Sequence, residues 1–161
     1  MLGNFSAYDF ITNFVPGVVF AAIATLGSQF DFTNDNVFIG PSLYFFFGVV
    51  ASRLGSLIVE PVLIASRFIA RGDYNSFLIA EQNDKKIQPL METCNFYRTQ
   101  LTSLLCIVPL LIFFPKANPS FDLCALVFFV VSSALIFAFS LRKQSQFLKV
   151  RIEHFSQKGN Q

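Results

Sequence analysis

Two charged residues interrupt an apolar stretch of the chain, and they are the side chains with the clearest potential for chemistry. Val37 to Ala51 carries no charge, and Arg53 and Glu60 then follow in the same hydrophobic segment before Pro61. Their separation of seven residues, about two helical turns, predicts that both lie on one helical face. Because an ionisable residue at membrane depth is costly and usually faces a bundle interior or a wet cavity, we expect this helix to face inward.

Small residues recur beside the two charges and predict a surface for close helix packing. Gly48, Ser52 and Ser56 are spaced four residues apart, which is the small-xxx-small pattern of membrane helix interfaces. One interpretation is that Arg53 satisfies helix carbonyls or an acid of another subunit and so specifies assembly. The other is that Arg53 and Glu60 gate a polar pathway or couple an outside event to the cytoplasmic helices.

A proline-glycine pair, Pro16-Gly17, lies within the first hydrophobic run, roughly Phe10–Leu26. Proline removes a helix hydrogen bond, so the pair predicts a kink. A broken helix there would line a pathway, as unwound segments do in transporters. The alternative is a helix that bends to fit its neighbours, since proline is tolerated in membrane helices.

Composition predicts an all-α integral membrane protein with four transmembrane helices. Apolar residues make up 53% of the 161 residues and charged residues 14%, which is too little polar surface for a soluble globule. The run from Leu123 to Leu141 has no charge and suits a bilayer crossing of about 20 residues. Five of the twelve Lys and Arg residues fall between Ser66 and Arg98, and five more follow Leu141. By the positive-inside rule both basic segments are cytoplasmic, so both termini are expected inside the bacterial inner membrane.

The predicted organisation is a single membrane domain, 1–161, with helical cytoplasmic extensions. Residues 67–98 form a helical hairpin between spans 2 and 3, and residues 142–161 form a basic helical tail. Gly72 is expected to end one helix, with Asp73 capping the next. The third span, Leu101–Phe114, is short and reaches a spanning length only by using Tyr97 to Gln100 at its inner end, where Arg98 is expected to snorkel to the headgroups. The part from Leu90 to Arg98 is expected to lead directly into this span.

The tail carries an apolar seam at Leu141, Leu148, Ile152 and Phe155. This spacing indicates either a cytoplasmic helical bundle between subunits or an amphipathic helix that lies on anionic lipid. Basic side chains here and in the hairpin are predicted to dock a partner; they are Lys85, Lys86, Arg142, Lys143, Lys149 and Arg151.

Enzymatic chemistry is not expected. His154 is the single histidine, which excludes a multi-histidine metal site within one chain. The three cysteines form no C-x-x-C pair, and no nucleotide-binding glycine motif or nucleophile elbow is present. Arg151 and His154 are too close in sequence for the Arg/His pair of HEPN ribonucleases. We expect no cofactor, no metal and no direct nucleic-acid binding.

Several stretches resemble small four-span bacterial inner-membrane proteins encoded with antiphage defence systems, a group that includes the membrane subunit of the Kiwa system. The matching features are Tyr8-Asp9-Phe10 with Pro16-Gly17, the block from Ser52 to Pro61, Asn95-Phe96-Tyr97-Arg98-Thr99 and the basic tail. The resemblance is one of layout, and only the Arg-Leu-Gly-Ser-Leu block is distinctive. It implies antiviral defence and a cytosolic partner.

These observations favour a homo-oligomeric membrane scaffold or sensor, with a tetramer as the expected assembly, that lies in the lipid bilayer and recruits a cytosolic effector protein. The alternative function is an oligomeric ion channel or membrane-depolarising pore made by the same subunits. A pore needs a continuous polar stripe, of which Arg53 and Glu60 provide one patch.

Overall fold

The computed structural model describes residues 7–33, 36–70, 74–117 and 122–158, and the elements in these ranges are helices. They are α1 (Ala7–Gly27), α2 (Ile39–Leu54), a π-helical segment (Gly55–Val59), α3 (Glu60–Ala65), α4 (Tyr74–Asn83), α5 (Ile87–Phe113) and α6 (Leu123–Lys158). The predicted all-α class is confirmed. The expected Gly72 stop and Asp73 cap lie outside the described residues.

Four helical stretches in the described ranges are long and apolar enough to cross a membrane: α1, the continuous run Ile39–Ala65, α5 and α6. Their outward faces carry large apolar side chains; Leu57 on the second stretch and Phe128 on α6 are each 74% exposed. Lipid is the solvent in which such faces are stable, because contact of these side chains with water would otherwise drive association. The four predicted spans are therefore present as helices.

The helices alternate in direction, and α1 and α5 run parallel. The ends of these two helices meet, because the Gln29 amide donates to the Phe114 carbonyl at 3.0 Å and the Lys116 amide donates to the Gly27 carbonyl at 3.0 Å. We call this the loop end of the bundle. Helix α4 packs on the last turns of α6 at the other end, where Lys85 also lies, and we call it the basic end. Both basic segments thus lie at the same end of the bundle.

Helix α5 occupies the centre and packs against α1, α2 and α6. Leu104, Ile107 and Leu111 of α5 are almost completely buried, and they share one apolar core with Ile23 of α1 and Val130 of α6. The helix of the third span begins at Ile87 and continues through Pro109 without a break, so the residues from Leu90 to Arg98 lead directly into the span, as expected.

Helices α1 and α2 pack backbone to backbone at two glycines. A Cβ atom at Gly17 would overlap the Tyr44 carbonyl, and one at Gly48 would overlap the Asn13 carbonyl. Gly48 therefore packs closely against a neighbouring helix, and that helix is α1. Helix α1 is continuous through Pro16, as the bent-helix alternative requires.

A π-helical segment, Gly55–Val59, changes the register of the second span. Its wider i→i+5 turn rotates the residues that follow relative to those before it. Helix α3 then ends at Ala65. Two residues later Arg67 adopts φ 56°, and the Phe68 amide donates to the Leu63 carbonyl at 2.9 Å. This left-handed residue and its bond form a Schellman-type stop, which turns the chain toward α6.

The apolar seam of the tail packs within the chain. Ile152 is buried with Ala80 and Ile87, and Leu148 and Phe155 pack against this cluster. Helix α4 covers this part of the seam. These apolar side chains are therefore available neither to a helical bundle between subunits nor to a lipid surface, the two arrangements that their spacing suggests. The tail is helical as far as Lys158, since α6 is one helix of 36 residues.

Candidate functional site

A partly buried ion pair joins two transmembrane stretches near the basic end. Arg98 on α5 donates from Nη1 to the Glu60 carboxylate at the start of α3. The Arg98 side chain is 16% exposed and the Glu60 side chain 34%. The expectation that Arg98 snorkels to the headgroups is wrong, because a carboxylate inside the fold offers it a partner.

The π-helical segment and a glycine position this ion pair. The segment directly precedes Glu60 and changes its direction relative to the residues of α2. Gly55 lies against Arg98 and Thr102; a Cβ there would come within 2.8 Å of the Thr102 hydroxyl. The absence of a side chain at Gly55 thus lets α5 approach closely enough for the ion pair to form.

Arg53 lies on the outside of the fold, contrary to the expectation that it shares an inward face with Glu60. Its side chain is exposed, and it makes no hydrogen bond or ion pair with the residues that the structure describes. The π-helical segment between the two residues breaks the seven-residue register, so Glu60 faces α5 while Arg53 does not. Ser52 precedes the π-helical segment and Ser56 lies within it; both are half-buried, and the Ser56 hydroxyl donates to the Ser52 carbonyl at 3.2 Å.

A cavity of about 290 Å³ opens beside the ion pair, toward the basic end. Glu60, Arg98, Asn95 and Ser145 contribute polar groups to its lining, and most of the other lining side chains are apolar. The Ser145 hydroxyl donates to the Ala70 carbonyl at 3.1 Å, which ties the turn after α3 to α6 along one wall.

Polar side chains of α5 continue from the ion pair into the middle of the bundle. Thr99, Gln100, Thr102 and Ser103 are all buried. The Ser103 hydroxyl donates to the Pro16 carbonyl at 2.9 Å, and this hydrogen bond is a polar contact between α1 and α5. We call these four residues of α5 the polar layer.

Two oxygens at this level have no hydrogen-bond partner in the described part of the chain: Thr12 Oγ1 on α1 and Gln100 Oε1 on α5. Thr12 lies one turn before Pro16, and Gln100 lies one turn before Ser103. Because α1 and α5 run parallel and Pro16 contacts Ser103, the two oxygens lie at a similar depth. An unsatisfied buried oxygen costs about 1–3 kcal/mol, so this level of the core is less stable than an apolar one.

The predicted docking residues lie at the basic end, but they are not equivalent. Lys85, Lys86, Arg142 and Lys143 are exposed. Lys149 is half-buried, and its ammonium nitrogen lies 3.8 Å from a carboxylate oxygen of Glu153. The shared location of these side chains leaves a basic surface outside the transmembrane core.

Arg151 is different, because it forms an ion pair with Asp84 and so ties α6 to the turn between α4 and α5. The hydrogen bond from Arg151, with a second from the Lys86 amide, holds the pKa of Asp84 below its usual value of 3.8. The guanidinium also lies over the Phe155 ring, 5.7 Å from its centroid. Arg151 is thus a structural residue of the basic end. A partner protein that bound its guanidinium would have to compete with Asp84 for it.

Sequence reasoning identifies Glu60 but not its partner. A third span whose inner end lies at Tyr97 to Gln100 places Arg98 at the headgroups, whereas α5 begins at Ile87 and contains Arg98 well inside its length. The signal that points to a buried position is the run that follows Arg98, since the polar layer extends polar character into an apolar span. Polar residues inside a membrane helix usually face other helices.

Comparisons of the chain with protein families, with curated proteins and with solved structures found no match. Within the described ranges, no group of three or more His, Cys, Asp or Glu residues is placed to hold a metal ion. What the site does is therefore inferred from its own side chains.

Proposed function

We propose that this protein is a homo-oligomeric membrane scaffold or sensor of the bacterial inner membrane whose basic end faces the cytoplasm and recruits a soluble effector. The positive-inside rule supports this orientation, because the exposed basic residues Lys85, Lys86, Arg142 and Lys143 gather at one end. A role in antiphage defence is part of the proposal and is supported by the resemblance in layout to four-span antiphage membrane proteins.

The observation that carries the proposal of assembly is the outward position of Arg53. Arg53 lies 14 residues after Ile39, which is about 21 Å along the helix from the loop end of the span. The hydrocarbon core is about 30 Å thick, so the residue lies within or close to it. A charged side chain there needs a partner, and a second subunit or a bound membrane protein supplies one at lower cost than lipid does.

The continuity of α6 supports recruitment of an effector. This helix runs without interruption from the fourth span into the tail, and the Asp84–Arg151 ion pair holds the end of α4 against it. A protein bound at Lys85 or Lys86 would therefore contact elements that are mechanically connected to the transmembrane helices. Basic side chains attract an acidic partner surface and accelerate its association.

Assembly is tested by measuring the mass of the purified protein in detergent with light scattering. We expect the wild type to be an oligomer, with Arg53→Ala reduced to smaller species. Arg67→Ala is the matched control, because Arg67 is also exposed but follows the end of the span. A monomeric wild type, or an Arg53→Ala protein with unchanged mass, would refute assembly through Arg53.

Recruitment is tested by purifying the protein from its native host with and without reversed charges at the basic end. We expect a soluble protein that copurifies with the wild type to be lost from Lys85→Glu/Lys86→Glu. It should be retained by Lys116→Glu, which makes the same type of change at the loop end. Equal recovery of that protein from both variants would refute docking at the basic end.

The polar layer favours ion conduction as a second candidate function. Its four residues lie in the middle of the bundle, where an ion would cross the hydrocarbon core. Flux through liposomes that contain only this protein would support conduction. No flux from a preparation of the correct oligomer would support the scaffold instead.

A further inference from the structure

The cavity beside the ion pair has a polar end and apolar walls. Arg98, Glu60 and Asn95 mark the polar end, and Phe77 and Met91 lie on the walls. Met91 precedes Arg98 by seven residues, so it lies about 10 Å closer to the basic end along α5. Met91 is 41% exposed, which places the mouth of the cavity near this residue.

The charge of the lining restricts what can bind. Glu60 and Arg98 are the charged residues among those that line the cavity, and they neutralise each other. An anion would approach the Glu60 carboxylate and a cation would approach the Arg98 guanidinium. Either would lose hydration without gaining a net countercharge, so an uncharged molecule fits best.

Donors at the polar end are available to such a molecule. Arg98 and Asn95 both line the cavity, and the Arg98 guanidinium has N–H groups besides Nη1, the nitrogen that is paired with Glu60. An N–H group of this kind is satisfied by an oxygen acceptor, and a hydrogen bond that involves a charged group is among the stronger ones. The volume of about 290 Å³ is at the lower limit of ligand pockets, which span about 300–1,000 Å³.

We propose that this cavity binds a small uncharged molecule with an apolar body and a carbonyl oxygen that accepts a hydrogen bond from Arg98. The apolar body lies along Phe77, Leu148 and Met91, and the carbonyl lies beside Arg98 and Asn95. Ligand binding here joins α5 and α6 to α4 and so acts on the elements that form the basic end. The site does not depend on self-assembly or on an effector.

Cys94 provides a built-in reporter, because it lines the cavity one turn from Arg98. In a Cys106→Ala/Cys124→Ala background Cys94 is the remaining cysteine, and its labelling by N-ethylmaleimide can be followed over time. A ligand bound in the cavity should lower the rate of this labelling. The probes are benzamide, benzoate and benzylamine, which are similar in size and differ in charge. We expect benzamide to protect Cys94 at a concentration at least about 10-fold lower than either charged probe, as a hydrogen bond to a charged group predicts.

A pair of variants separates binding in the cavity from general effects. Leu148→Phe places a larger side chain in the cavity and should abolish protection by benzamide. Val150→Phe is the matched control, because Val150 is 65% exposed on another face of α6 and should leave protection intact. Both proteins are first compared by thermal unfolding, so that a loss of protection is read only from a folded variant.

Benzamide is soluble in water, and dodecanamide carries the same carbonyl group on a chain that partitions into the bilayer. Protection by benzamide supports a ligand from the aqueous side, and protection by dodecanamide alone supports one from the membrane. Absence of protection by both amides overturns the proposal. Equal protection by the charged probes, or protection that persists in Leu148→Phe, also overturns it.

Discussion

Removal of either partner of the Glu60–Arg98 ion pair should destabilise the protein, and by unequal amounts. Breaking a buried ion pair costs about 3–5 kcal/mol, because it leaves an uncompensated charge. Glu60→Gln leaves Arg98, which is 16% exposed and whose Nε already has no partner in the described part of the chain, so we expect a loss near the lower limit, about 3 kcal/mol. Arg98→Gln leaves Glu60, which is 34% exposed and is partly hydrated, so about 1.5 kcal/mol is expected.

Thermal unfolding in detergent measures both effects. For a chain of this size 1 kcal/mol corresponds to about 2–4 °C, so Glu60→Gln should lower the Tm by about 6–12 °C and Arg98→Gln by about 3–6 °C. The double variant should lose less than the sum of the two, since neither charge is then left alone. Lys149→Gln is the matched control, because the side chains of its pair with Glu153 are 43% and 59% exposed and such a pair on a helix surface contributes about 0.5 kcal/mol.

Two results would refute this reasoning. If Glu60→Gln lowers the Tm no more than Lys149→Gln does, the Glu60–Arg98 pair does not stabilise the fold. If Arg98→Gln lowers the Tm more than Glu60→Gln does, the solvent exposure of the remaining charge does not determine how much its loss of a partner destabilises the protein.

Three further perturbations test other parts of the structure. Gly48→Ala should separate α1 from α2 at the Asn13 carbonyl and cost about 1–3 kcal/mol, measured as a lower Tm; an unchanged Tm would contradict the backbone contact. Arg67→Gly should raise stability by about 1 kcal/mol, since glycine adopts the left-handed conformation without a steric penalty, and a lower Tm would contradict this. Asp84→Asn should increase hydrogen exchange in the tail at pH 7. Because pairing with Arg151 lowers the pKa of Asp84 below 3.8, the wild type should keep this protection above about pH 4 and lose it on further acidification, whereas the variant should show no such loss.

The four spans could be predicted from the sequence because they depend on local composition. A run such as Leu123 to Leu141 has no charge, and a bilayer crossing needs little more than length and apolarity. The close approach at Gly48 was also predictable, since small residues at four-residue spacing permit it in any membrane helix. The identity of α1 as the partner was not, because many helices satisfy the same pattern.

The ion pair could not be predicted because it depends on a change of helical register. Regular α-helical geometry places Arg53 and Glu60 together, and the sequence contains no proline between them to indicate a break. The π-helical segment coincides with the close packing of Gly55 against α5, which is a tertiary contact. The position of the tail is hidden for a related reason: the seam at Leu148 and Ile152 indicates that some surface covers it, but not that α4 does.

The two arginines in the spans illustrate opposite ways of accommodating a charge near lipid. Arg98 is satisfied inside the subunit by Glu60, so its charge requires nothing from outside the chain. Arg53 lies on the outer surface, and Glu60, the one carboxylate on the helical run Ile39–Ala65, is already paired with Arg98. A partner of Arg53 must then come from another surface, either a carbonyl or an acid of a neighbouring subunit or the headgroups. Since substitution of Arg53 leaves the internal ion pair intact, its effect on assembly should be separable from any effect on folding, which makes it the residue on which the scaffold proposal is most directly tested.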